Sequence, residues 1–162
     1  MFKLPLFKNS TSLLRDWRTY SFVCLATVLL FSCANKEKYV QTLAQPEQLT
    51  ISEGFVEPVG FYDAQPSFSW KLPVDASVKA QSQYRIVVAS SPDLLPGNPD
   101  LWDSGVIDSD RTNFVQYEGN ELKSRQRVFW QVKYWNERGF DSNWSALASF
   151  ELGLLSSSDW SA

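Results

Sequence analysis

The sequence has no histidine, and its only two cysteines, Cys24 and Cys33, both fall within the first 33 residues. Each absence removes a class of chemistry. Without histidine, the commonest general base and the commonest zinc ligand are missing. A Ser-His-Asp or Cys-His nucleophile arrangement is ruled out with it. Beyond Cys33 no disulfide and no thiolate metal site can form. Positive charge is also scarce after the N-terminus: residues 34–162 carry 11 Lys/Arg against 17 Asp/Glu. A net negative chain with no Lys/Arg cluster gains nothing from displacing counterions off phosphates, so nucleic acid is not an expected partner. What the chain does have is aromatic residues, 15% of the total with seven Trp, in 162 residues of otherwise ordinary globular balance. That length suits one domain with extensions.

The N-terminus reads as an address. Lys3, Lys8, Arg15 and Arg18 precede an apolar run from Ser21 to Phe31. Eleven residues are too few to span a bilayer, which takes about 20, but they suit the apolar region of an export signal. Leu30-Phe31-Ser32-Cys33 resembles the lipobox of bacterial lipoproteins, which implies cleavage before Cys33 and a lipid on its sulfur. Cys24 fits that pattern less well, because Val23 is not small. An uncleaved anchor and a plain core strand are the alternatives. The expected organisation is a lipoprotein signal peptide over 1–32 and a polar tether over 33–48. The chain is then expected to be exported and lipid-anchored in a bacterial membrane, periplasmic or at the cell surface.

From about Leu49 the apolar residues recur with a period of two. In Arg127 to Asn136, Val128, Trp130, Val132 and Tyr134 fall on one face, and Phe129, Gln131, Lys133 and Trp135 on the other. Tyr84, Ile86 and Val88 repeat the pattern in Gln83 to Ser90, as do Phe68, Trp70 and Leu72 in Pro66 to Leu72. Leu49 to Val56, Val106-Ile107, Phe114-Val115 and Ser149 to Leu152 are further candidate strands. Ser91 to Pro99, with three prolines and a glycine, is expected to be a loop, and Asn136-Glu137-Arg138-Gly139 a hairpin turn. Short strands at regular spacing without a long helix predict an all-β sandwich over 49–155, immunoglobulin-like, with the disulfide-free fibronectin type III variant preferred.

Several segments carry a family resemblance. Asp63 to Trp70, Gln83 to Ser91, Leu101-Trp102-Asp103-Ser104-Gly105, Leu122 to Arg125, Trp130-Gln131-Val132, Trp144-Ser145 and Ser149 to Leu155 follow one another in a specific order. Together they resemble the N-terminal fibronectin type III-like domain of bacterial α-L-rhamnosidases, glycoside hydrolase family 78. Asp159-Trp160 resembles the start of the next domain in that family, placing 156–162 at a domain entrance. The resemblance implies further β-domains and an (α/α) barrel whose carboxylates hydrolyse α-L-rhamnosides, one as acid and one as base. None of the catalytic region lies within these residues, so no residue inherits a catalytic role. Val128 stands where many such domains place a corner tyrosine, which implies different local packing.

Trp102, Trp135, Trp144 and Phe129 are candidates for sugar stacking or for contact with neighbouring domains, Phe129 and Trp135 above all because they oppose the core set. Aromatics pack cores more often than they bind sugars. Asp100, Asp103, Asp108 and Asp110 would suit calcium by ligand type, but their spacing matches no loop signature and favours turn capping. Glu118 with Glu121, or Glu137 with Asp141, read as solvated pairs. No cofactor and no metal site is expected. Three functions follow from this reading. The first is a non-catalytic accessory module of a rhamnosidase, with that enzyme's other domains and the lipid bilayer as partners. The second is a stand-alone carbohydrate-binding lipoprotein contacting rhamnose-containing glycans. The third is a truncated fragment without a role. On all three the chain alone hydrolyses nothing.

Overall fold

The computed structural model describes residues 42–74 and 79–160; the expected signal peptide, Cys33 and most of the expected tether lie outside them. The described part is a β-sandwich of two sheets. Strands β1 (Glu47–Ile51), β3 (Ser67–Lys71) and β7 (Val115–Gln116) form the smaller sheet in the order β1-β3-β7. The larger has the order β2-β9-β8-β4-β5, from β2 (Val59–Phe61), β4 (Gln81–Ala89), β5 (Trp102–Asp103), β8 (Arg127–Asn136) and β9 (Ala148–Leu152). A further short strand, β6 (Ile107–Asp108), pairs with β4 through Tyr84 and Ile107, next to the β5 pairing along the same edge. The all-β immunoglobulin-like expectation holds.

The backbone of the larger sheet is the antiparallel ladder between β4 and β8, which places Tyr84 opposite Tyr134, Ile86 opposite Val132 and Val88 opposite Trp130. All six of these side chains are buried, along with Val128. They meet Phe68 and Trp70 of β3: Phe68 lies 4.6 Å from the Trp130 ring and Trp70 meets Tyr84 edge-on at 5.4 Å. Aromatic pairs in such geometry add about 0.5–1.5 kcal/mol each beyond the area they bury, which lets the sandwich close without a cross-sheet disulfide. The β8 hairpin turns where expected: Gly139 takes φ +77°, and the buried Asn136 side chain accepts from the amides of Arg138 and Phe140.

Three features differ from the sequence reading. β2 was not foreseen; it runs parallel to β9. The segment read as tether reaches into the fold, because Leu43 is 2% exposed and its backbone bonds Asp141 and Asn143, while the Tyr134 hydroxyl donates to the Ala44 carbonyl. And the strand expected at Phe114-Val115 begins only at Val115, since Phe114 sits at φ +50° and is exposed. Val128 is fully buried in place of a corner tyrosine, and a phenol anchors the neighbouring turn instead: the Tyr117 hydroxyl donates to the Asn120 carbonyl at 2.7 Å.

Candidate functional site

The outward face of the β4–β8 ladder is built by the same alternation that fills the core. Arg85 lies directly opposite Lys133 and Gln83 opposite Trp135. Like charges directly across a sheet repel, and the structure offsets this in two ways. Each cation has its own carboxylate: Arg85 binds Asp103 through two parallel bonds of 2.9 and 2.6 Å, and Lys133 pairs with Asp141 at 2.5 Å. The two cations also share one ring, with the Arg85 guanidinium 5.8 Å and the Lys133 ammonium 5.9 Å from the Trp144 centroid. Lys133 lies 5.4 Å from Trp135 as well. A cation over an indole is worth about 0.5–2 kcal/mol, depending on how dry the contact is.

Backbone chemistry explains how Trp144 is held there. Where β9 has not yet begun, serines complete the edge of β8. The Ser145 hydroxyl accepts from the Val132 amide and the Ser142 hydroxyl accepts from the Tyr134 amide, each at 3.1 Å, and the Gln131 side chain donates to the Ser145 carbonyl. Both serines are buried. The turn around Trp144 is thereby tied to β8 on both sides.

Electrostatically the array is closed. Hydrogen bonding to Arg85 holds the Asp103 carboxyl below the usual carboxylate range, outweighing desolvation, with the Gly105 amide adding to the effect. The other acids considered for calcium do not converge on it. Asp100 accepts from the Ser90 amide and hydroxyl, and Asp108 accepts from the Gln83 side chain. Among the described residues no cluster of His, Cys, Asp or Glu could hold a metal ion. Asp141, raised as half of an acid pair with Glu137, is engaged by Lys133. The array can stack against and hydrogen-bond a partner. It presents no nucleophile and no free acid–base pair.

The structure brings two of the four candidate aromatics together: Trp135 and Trp144 share Lys133. Phe129 faces the same side but stands six positions from Trp135, about 20 Å along an extended strand, where it carries the Arg127 guanidinium at 5.7 Å. Trp102 is elsewhere. It is half-buried on β5, stacked on Phe68 at 6.1 Å and edge-on to Tyr117 at 5.5 Å, so much of its surface belongs to the core. Sequence reasoning missed Arg85 and Lys133 as members of the array. Their outward position was readable from alternation, but their pairing depends on strands more than 40 residues apart.

Comparison with known proteins places this architecture. A family described as the Rha78A-like, N-terminal immunoglobulin domain matches residues 46–156. An alpha-L-rhamnosidase of Formosa agariphila is 55% identical over 146 residues, covering 88% of this chain and 15% of that enzyme. An alpha-L-rhamnosidase of an Alteromonas species is 42% identical over 146 residues, covering 90% of this chain and 16% of its own length. The crystal structure of the Streptomyces avermitilis alpha-L-rhamnosidase complexed with L-rhamnose superposes with a TM-score of 0.64 at 41% identity, over 70% of this chain and 11% of that one. The chain thus spans about a sixth or less of the length of these relatives.

Proposed function

The chain belongs to the family of Rha78A-like, N-terminal immunoglobulin domains, and on that premise we propose that its sandwich is a non-catalytic accessory module of an α-L-rhamnosidase. The observation that carries this reading is coverage: strong identity over nearly the whole chain corresponds to only 15–16% of two relatives that are alpha-L-rhamnosidases. The module's work is to pack against the remaining domains and hold them in place. The surface supports this. Val59 is 79% exposed, Trp160 73% and Tyr62 is also open to solvent. Val59 and Tyr62 flank the point where the chain leaves the sandwich, because Gly153 bonds Phe61 and lies against Gly60, where a side chain would crowd the Gly60 carbonyl. Exposed apolar residues beside a chain exit suit a neighbouring domain. The outward Trp135 and Trp144, with Arg85, have the composition of interface anchors.

The N-terminal segment adds a finer proposal: export, cleavage before Cys33, and a lipid on that cysteine which tethers the module to a bacterial membrane. The basic residues followed by the Ser21–Phe31 apolar run support it. Labelled palmitate should enter the chain in cells and fail to enter a Cys33→Ser variant; equal labelling of both would remove the anchor.

The accessory reading is tested by the DNA downstream of the Ala162 codon. A continuing frame that encodes further β-domains and a helical barrel is expected. A stop codon with no such frame nearby would overturn it and leave the stand-alone carbohydrate-binding reading.

A further inference from the structure

A cleft opens on the flank of the sandwich where β5 and β6 pair with β4. The edge of the larger sheet is formed there by β5 and β6, and the edge of the smaller by β7. The cleft measures about 270 Å³ and is lined by Tyr84, Trp102, Ile107, Arg111, Val115 and Glu118 among others. It falls just below the range of about 300–1,000 Å³ typical of sites for drug-sized molecules, so it suits one ring rather than a chain of them.

Its lining divides by chemistry. Trp102, Ile107 and Val115 supply aromatic and aliphatic surface. Trp102 is fixed in place, since it stacks on Phe68 and a side chain at Gly119 would fall 2.5 Å from its Cβ. Arg111 and Glu118 supply charges of opposite sign, and neither side chain is spent on an ion pair or a hydrogen bond among the described residues. Tyr84 supplies the most informative group. The residue is 8% exposed and its ring rests on Trp70, and its hydroxyl has no hydrogen-bond partner among the described residues. No buried side-chain polar atom lacks a partner among the described residues, so this hydroxyl is open to the cleft. A phenol whose ring is packed in the wall and whose oxygen reaches the cleft can donate to or accept from a molecule that displaces water there. Burial raises the phenol's pKa while Arg111 and Glu118 pull it in opposite directions, so both charges reach the same point.

We infer that this cleft binds a single neutral pyranose, its C–H face on Trp102, Ile107 and Val115, and its hydroxyls bridged by Arg111 as donor, Glu118 as acceptor and the Tyr84 hydroxyl. Charges of both signs on the rim give neither an anion nor a cation a net advantage over a neutral molecule with both donors and acceptors. A ring with one apolar face and vicinal hydroxyls meets every group in the lining. The inference does not rest on the accessory-module reading and would stand if the downstream frame were absent.

The test is a titration of the full chain, labelled with ¹⁵N, with L-rhamnose, D-mannose and, as a control polyol, glycerol. With a sugar, the Trp102 indole and the Ile107 and Val115 amides should shift and saturate with a Kd of order millimolar, the strength expected of so few ligand atoms. Glycerol should leave them in place. Tyr84→Phe keeps the ring on Trp70 and removes only the oxygen; it should weaken binding about three- to tenfold, and Glu118→Gln by about tenfold or more. Four results would overturn the proposal: no shift at about 50 mM sugar, a scale chosen well above that millimolar Kd; the same shifts with glycerol; shifts confined to Trp135 and Trp144; or unchanged titrations in both variants.

Discussion

The two faces of the β4–β8 ladder are made by the same strands and are built to opposite ends. Inward, Ile86, Val88, Val128, Trp130 and Val132 are buried completely or nearly so and meet Phe68 and Trp70 of the other sheet. Outward, Arg85, Gln131, Lys133 and Trp135 are half-exposed, and every charge between them is neutralised locally. The inner face gains its energy from removal of apolar area, about 25 cal/mol per Å². The outer face gains little net stability, since exposed ion pairs are worth only about 0–1 kcal/mol. The like charges held opposite each other there are offset by their carboxylates and by the shared Trp144 ring, so the outer face adds a small, salt-sensitive increment to a fold that the inner face secures.

Four perturbations sharpen or break that contrast. Trp130→Ala, on the inner face, should cost about 3–5 kcal/mol, read as the shift of the urea unfolding midpoint; Trp135→Ala, on the outer face of the same strand, should cost less than about 1 kcal/mol. Similar values would erase the distinction. Next is alkali. Burial pushes the Tyr117 phenol up to about 12. A folded pKa raised above the unfolded value of about 10 contributes stability that is complete below pH 10 and is lost as pH climbs toward 12, of order 2 kcal/mol in all. Melting temperature should fall over that window, and fall less in Tyr117→Phe. Third, Trp144→Ala removes the ring shared by Arg85 and Lys133 and should cost about 1 kcal/mol, partly restored by Lys133→Met, which also removes the like-charge pair. Smallest is Asp103→Asn, less than about 1 kcal/mol and fading with added salt. The Asp103 pKa is lowered, so its contribution is present above the unfolded value of about 3.9 and disappears as pH falls through the folded value.

The inner face was readable because period-two alternation is strong in β8, β4 and β3, and the elements it marks are those that carry the core. What escaped is non-local or weakly patterned. β2 is three residues long with Gly60 at φ +75°, and it exists only because β9, some 90 residues later, offers a parallel edge. Gln81, a buried hub that accepts from the Trp70 indole and donates to the carbonyls of Ser109 and Arg111, carries no mark in the sequence that distinguishes it from a surface glutamine. Leu43 sits among polar neighbours, and its burial depends on the turn at 141–143. At the candidate site, alternation placed Phe129 and Trp135 outward. It did not reveal that Trp144 would join Trp135 while Trp102 turned into the core, because strand register and the Ser142 and Ser145 anchors decide that.

The most direct test of the accessory role is an assay of the purified chain with an aryl α-L-rhamnoside. Release of the aryl group at the rate of buffer alone is expected, because neither the outward array nor the cleft places two carboxylates across one bond among the described residues. Enzyme-proportional turnover, abolished by changing a carboxylate such as Glu118 or Glu121, would contradict it.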